Sequence, residues 1–184
     1  SWRLKTFQSA GRPVDFVSVA ARREDQLPLS LVFDDRQILP GINAALFEVS
    51  RTEQAKGATR VSFHWSDGAG SEVKKTFEFR AAEPAVGLEV TTKDRGRTVT
   101  PRLTWGPGLE VEDPKDRSNT YYNDYALTYD GTLVTHYKKQ NINQPISIPE
   151  TAHLAWAGLD DQYFTALVLP AGATTATISP FSAS

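Results

Sequence analysis

Val61-Ser62-Phe63-His64-Trp65 and Val73-Lys74-Lys75-Thr76-Phe77-Glu78-Phe79 flank a glycine-rich break at Asp67-Gly68-Ala69-Gly70. Val61, Phe63 and Trp65 alternate with Ser62 and His64. Val73, Lys75, Phe77 and Phe79 alternate on the return. Successive strand residues point to opposite faces, so period two places one largely apolar row on a single face. The break is made of residues that tolerate a turn and, for glycine, positive φ. The stretch predicts an antiparallel hairpin with one buried face.

The same habit extends outward. Val86, Leu88 and Val90 alternate with Gly87, Glu89 and Thr91. Val99 to Trp105 predicts a further strand, with Pro101 marking an edge or a bulge. Upstream, Trp2 to Phe7, Pro13 to Val19, Leu29 to Phe33 and Ala44 to Val49 predict four more. Downstream, Tyr125 to Tyr129 and Thr132 to Tyr137 flank Asp130-Gly131, a two-residue hairpin signal. Short strands are expected at Ile146 to Ile148, Tyr163 to Leu169 and Thr174 to Ile178. No window holds a 3.6-residue apolar stripe. Helix is limited to single turns at Arg51 to Lys56 and Asn119 to Asp124. The irregular, polar segment from Gly106 to Asn123 reads as an exposed loop. Many short strands with Gly and Pro punctuation predict an all-β fold with little helix, a large antiparallel sandwich. No linker divides it, so residues 1–184 are expected to form a single domain.

Composition narrows the function classes. The 184 residues carry 20 Lys and Arg against 22 Asp and Glu, a net charge of −2, with the signs interspersed. Nucleic-acid phosphates and anionic lipid both call for a concentrated positive surface, which this pattern lacks. There is no Cys, which excludes disulfides and thiolate zinc sites. No apolar run approaches the roughly 20 residues that a spanning helix needs. The absence of Met leads to the expectation of a piece of a longer chain, itself soluble.

Catalytic patterns are sparse. His64, His136 and His153 have no second ligand at metal spacing, so each reads as a satisfied polar residue on or beside a sheet. Asp34-Asp35, Asp160-Asp161 and Glu110, Glu112 and Asp113 read as solvated turns, and no calcium-loop pattern occurs. Gly68-Ala69-Gly70 and Gly106-Pro107-Gly108 open no helix and lack the Gly-Lys-Ser/Thr of a phosphate loop. No catalytic residue, cofactor or metal is expected. Among the aromatics, Tyr121, Tyr122 and Tyr125 cluster beside Asn119, Asn123 and Asp124. They form a candidate patch for stacking on sugar rings or a peptide, weighed against tyrosines that close a sandwich end.

Trp156-Ala157-Gly158-Leu159-Asp160-Asp161-Gln162-Tyr163-Phe164-Thr165-Ala166-Leu167-Val168-Leu169-Pro170 resembles a segment of the periplasmic domain of YidC-type membrane protein insertases. Three further segments resemble that family in the same order. They are Trp2 to Phe7 with Gly11 to Val17, Lys75-Thr76-Phe77-Glu78-Phe79, and Trp105-Gly106-Pro107-Gly108-Leu109. The likeness spans essentially the whole chain.

The resemblance implies a β-supersandwich akin to mutarotase-like domains, on the periplasmic side of a bacterial inner membrane. The membrane-embedded parent would insert and help fold membrane proteins, alone or with the Sec translocon. The domain's partners would be the Sec accessory subunit, substrate membrane proteins, or both. The family offers no catalytic residues to carry over. Its domain usually continues for several strands past Pro170, so a chain stopping at Ser184 is expected to be truncated, with apolar surface exposed or covered by a partner. The competing readings are a carbohydrate-binding or mutarotase-like protein, with His64 or His136 set against Glu89 or Glu110, and a chaperone that captures extended peptides at an open sheet edge.

Overall fold

The computed structural model describes residues 3–9, 11–15, 17, 27–81, 83–106, 108–109, 125–160 and 164–180. In chain order the strands are β1 (Arg3–Ser9), β2 (Arg12–Asp15), β3 (Ser30–Val32), β4 (Glu48–Glu53), β5 (Ala58–Ser66), β6 (Glu72–Arg80), β7 (Val86–Asp94), β8 (Arg97–Thr98), β9 (Arg102–Thr104), β10 (Tyr125–Tyr129), β11 (Val134–Lys138), β12 (Ile146–Ile148), β13 (Trp156–Asp160), β14 (Thr165–Val168) and β15 (Ala176–Ile178). Every pairing is antiparallel. Helix is confined, among the described residues, to single 3-10 turns such as Ile42–Ala44 and Ala55–Gly57. The fold is therefore all-β, with several sheets, as in a β-sandwich.

The contacts divide the chain into two compact units, Leu29–Thr104 and the combination of Ser1–Pro28 with Trp105–Ser184. In Leu29–Thr104, β4 to β8 form a five-stranded meander and β3 pairs with β9. The hairpin that opened the sequence reading is the centre of this meander, Val61 facing Phe77 and Trp65 facing Val73. Its loop runs from Asp67 to Ser71. The Asp67 carboxylate accepts hydrogen bonds from the Ala69 and Ser71 backbone N–H groups at 2.7 and 2.9 Å. Gly68 and Gly70 take φ of 71° and 100°, where a Cβ is disfavoured.

The core of this unit joins Val73, 0% exposed, to Leu31, Phe33, Leu39 and Ile42, with Trp65, Val90 and Val99 packed at its margin. Burying a side chain of that size stabilises by about 1.5–3 kcal/mol. Lys75 shares the strand face of Val73 and donates its Nζ to the Leu29 carbonyl at 2.9 Å.

The other unit holds a four-stranded sheet in the order β11-β10-β13-β14 and the pairs β1-β2 and β12-β15. Leu109, Leu127, Ile142 and Leu154 are its buried apolar residues among those described.

Several expected boundaries move. The strand predicted at Ala44 to Val49 begins at Glu48 and runs to Glu53, because Ile42–Ala44 takes a 3-10 turn that carries Ile42 into the core. The turn expected from Arg51 begins only at Ala55. The strand predicted from Val99 to Trp105 shortens to Arg102–Thr104, after Pro101, since proline lacks the N–H a ladder needs. Arg97–Thr98 ends the meander and Arg102–Thr104 joins β3 instead.

Of the strand expected from Pro13 to Val19, β2 holds Pro13 to Asp15, the Asp15 carboxylate accepts from the Val17 N–H at 3.0 Å, and residues 16, 18 and 19 lie outside the described residues. The Asp130-Gly131 hairpin is wider than two residues. Tyr129 pairs with Val134, leaving Asp130 to Leu133 as the loop. The Asp130 carboxylate accepts from Thr132 and Leu133 at 2.8 and 2.7 Å, which favours this longer turn.

Candidate functional site

Alternation along β10 puts Tyr125, Leu127 and Tyr129 on one face. Pairing with β11 sets Lys138, His136 and Val134 opposite them, and pairing with β13 sets Asp160, Gly158 and Trp156 opposite them on the other side. Directly paired residues share a face, so these nine form one surface of the four-stranded sheet. Its aromatic members touch in pairs. The Tyr125 and His136 rings meet edge to face with centroids 5.6 Å apart. Tyr129 and Trp156 lie 5.4 Å apart at 31°.

The tyrosine is fixed at both ends of its contact. Its Oη donates to the Gly131 carbonyl at 2.7 Å, and its own carbonyl accepts from the Ala155 N–H at 2.7 Å. Tyr125, Tyr129 and Trp156 are half-buried, while Leu127 between them is 6% exposed. Gly158 opens the middle of the face, allowing Leu167 of β14 to lie across it. A Cβ at Gly158 would sit 2.6 Å from Leu167 Cδ2 and nearer still to the Ala166 carbonyl oxygen. At the far end, the Thr165 hydroxyl donates to the Asp160 carboxylate. The surface thus offers aromatic and apolar area with Lys138 and Asp160 as charged handles. It suits stacking and apolar contact.

Of the predicted patch, Tyr125 lies on this face, and Tyr121 and Tyr122 fall outside the described residues. Tyr129, Trp156 and His136 were missed as companions of Tyr125. The alternation in Tyr125 to Tyr129 and in Trp156 to Asp160 carries the signal, but joining the two requires the pairing of β10 with β13, which skips β12.

The histidine and carboxylate groupings lie elsewhere. His64 Nε2 is 3.0 Å from Glu72, and Lys93 reaches the same carboxylate at 3.4 Å. The hydrogen bond from His64 is the chief reason the Glu72 carboxyl is held below its usual range, followed by Lys93. Glu89 instead faces Thr76, two strands from the His64 position, and Glu110 lies outside the described residues. Arg60, Glu78, Arg80 and Glu83 form a surface chain of ion pairs at 2.7 to 3.2 Å. Glu78, Arg80 and Glu83 of that chain line two partly open depressions beside Ala55 and Val86. Burial pushes the Lys75 ammonium below its ordinary value, and its contact with Leu29 makes it a structural pin. Among the described residues, no three His, Asp or Glu converge as a metal site. No described helix is long and apolar enough to cross a membrane.

Residues 2–182 match the family model described as the YidC periplasmic domain, nearly the whole chain. No curated protein and no solved structure matches. That family is not an enzymatic one, and in the parent protein its domain lies on the periplasmic side of the membrane. The ordered likeness of the Trp2, Lys75, Trp105 and Trp156 segments agrees with the match, and the chain belongs to the YidC periplasmic domain family.

Proposed function

We propose that this chain is the interaction domain of a bacterial inner-membrane protein insertase, working by surface contact and without bond-making chemistry of its own. The family match over residues 2–182 carries the proposal. The half-buried face of Tyr125, Tyr129 and Trp156 supports it, because aromatic area with a few polar handles is the composition of a recognition surface. The partners are the Sec accessory subunit, membrane proteins under insertion, or both, and all 184 residues act as a single domain. The test is site-specific photo-crosslinking from position 129 or 156 in the full insertase. Adducts with the Sec accessory subunit or an inserting chain are expected. Their absence from both positions, with insertion unchanged after deletion of residues 1–184, overturns the proposal.

A second reading is a carbohydrate-binding sandwich. The tilted Tyr129–Trp156 pair favours it, since sugar rings stack on aromatic faces. A glycan array and a mutarotase assay decide it. Blank results in both remove this reading, and a saturable glycan signal lost in Trp156→Ala establishes it.

A further inference from the structure

We propose that the outer edge of β14 accepts an extended, uncharged apolar segment of another polypeptide as an added antiparallel strand. This deepens the reading of the chain as an insertase interaction domain and rests on it. The strand ends the four-stranded sheet and pairs with β13 alone among the described residues. A strand in that position presents unpaired backbone N–H and C=O groups, which are a template for another chain.

The side chains here do nothing to guard that template. Thr165-Ala166-Leu167-Val168-Leu169 contains no charge, and Leu167, Val168 and Leu169 are 42%, 42% and 70% exposed. Adjacent strand residues point to opposite faces, so apolar surface is open on both sides of this edge. The outer strands elsewhere in the two larger sheets differ. Along β4, Glu48, Arg51 and Glu53 blunt the edge, with Arg51 and Glu53 paired at 2.7 Å. Strand β8 carries Arg97, and β11 carries His136 and Lys138. Charges on edge strands are the usual defence against unwanted pairing. Its omission at β14 marks that edge for pairing.

The size of the edge selects the occupant. Pro170 stops the run, so about five residues, or roughly 17 Å, are available. A stable homodimer buries about 800 Å² per partner, well beyond what one such ladder covers. Brief capture of an extended segment fits this size. Register adds a second argument. Leu167 lies opposite Gly158 and so shares the face of Tyr129 and Trp156. A strand added beside β14 continues that aromatic face with its own alternate side chains.

The experiment uses fluorescence anisotropy with a labelled peptide of alternating Leu and Thr, seven residues long and capped by one Lys at each end. The chain and the full insertase are both titrated. Saturable binding is expected to both. It should weaken at least tenfold in Leu167→Lys and in Leu169→Lys, and with a peptide N-methylated at alternate residues, which cannot form the ladder. Leu169→Lys changes a side chain that is 70% exposed, so unchanged circular dichroism and melting certify its fold. Several results overturn the inference. They are no binding, binding that ignores both Lys variants or the N-methylation, and binding to the chain but not the full insertase, which would mean the edge is covered there. Concentration-dependent dimers abolished by Leu167→Lys would likewise assign the edge to a second copy. Absent peptide binding alongside crosslinks from positions 129 and 156 sinks this inference alone. Peptide binding without any insertase crosslink removes the insertase reading and leaves the edge.

Discussion

The Asn43 side chain acts as a strand for Leu31. Its Oδ1 accepts from the Leu31 N–H at 2.9 Å and its Nδ2 donates to the Leu31 carbonyl at 2.9 Å. One amide thereby satisfies both backbone groups of a residue that is 3% exposed and sits in the core of Leu29–Thr104. A buried donor or acceptor left unpaired costs about 1–3 kcal/mol. Asn43→Ala should therefore lower stability by about 2–4 kcal/mol, and melting by about 2–4 °C for each of these. Asn43→Asp should also destabilise at neutral pH, because a carboxylate still accepts from the Leu31 N–H but cannot donate to the Leu31 carbonyl and sets an oxygen against it. Urea unfolding of the two variants checks this. An Asp variant as stable as the parent would show that the Nδ2 contact contributes nothing.

Gly158 is needed because two strands approach closely there. The nearest obstacle to a Cβ is the Ala166 carbonyl oxygen, which is backbone and cannot swing aside, followed by Leu167 Cδ2. Gly158→Ala should force β13 and β14 apart and cost about 1–3 kcal/mol, as overpacking does. Leu167→Ala should rescue little of this, since it clears only the flexible neighbour. Melting of the single and double variants separates the two contacts, and full rescue by Leu167→Ala would show that the backbone clash is not limiting.

Acid should weaken the chain's stability in a definite window. Glu53, Asp67, Glu72, Glu78 and Asp130 all titrate below their ordinary values of 4.5 for Glu and 3.8 for Asp. The chief causes are hydrogen bonds from Thr59 to Glu53, Ser71 to Asp67, His64 to Glu72, Arg60 to Glu78 and the Leu133 backbone N–H to Asp130. A carboxyl with a depressed folded pKa binds protons more weakly in the native state than when unfolded. Its contribution is complete above the unfolded value and is lost as pH falls through the folded one. Thermal stability from these groups should hold from pH 7 to about 5 and decline below pH 4.5. In His64→Ala, a carboxyl NMR titration should move Glu72 up towards 4.5 and leave Glu78 in place. An unmoved Glu72 would transfer its depression to Lys93.

The legible parts of this fold are those in which neighbours in sequence are neighbours in space. The hairpin from Val61 to Phe79 is written in alternation, and even its five-residue loop follows from Asp67 gathering two backbone N–H groups. Strand β4 was misplaced because Glu48-Val49-Ser50-Arg51-Thr52-Glu53 is exposed throughout and carries almost no apolar period. Leu39 reaches the core from a bend and Ile42 from a single 3-10 turn, both too short for a periodicity to be read. The candidate face was half visible. Tyr125 could be singled out locally, whereas its union with Trp156 depends on β10 pairing with β13 across two intervening strands, and β12 finds β15 in the same nonlocal way. Burial and edge exposure along Thr165 to Leu169 follow from that sheet order, which the sequence pattern does not encode.

Tyr129 and Trp156 supply the last prediction, because one tyrosine makes two contacts of different kinds. Its ring lies 5.4 Å from that of Trp156, and its hydroxyl donates to the Gly131 carbonyl across the loop that starts at Asp130. Tyr129→Phe keeps the ring contact and removes the hydrogen bond, so it should cost about 0.5–1.5 kcal/mol. The exposed Gly131 carbonyl can be satisfied by water instead. Tyr129→Leu with Trp156→Leu should show a coupling of about 0.5–1.5 kcal/mol in a double-mutant cycle, the share of an aromatic pair beyond its buried area. Crosslinking from a probe at position 156 should survive Tyr129→Phe, and crosslinking from a probe at position 129 should fail in Trp156→Leu, if recognition uses the ring faces. A coupling near zero with crosslinks intact would mean that the two rings are neighbours by register alone, and that partners meet another part of the sheet.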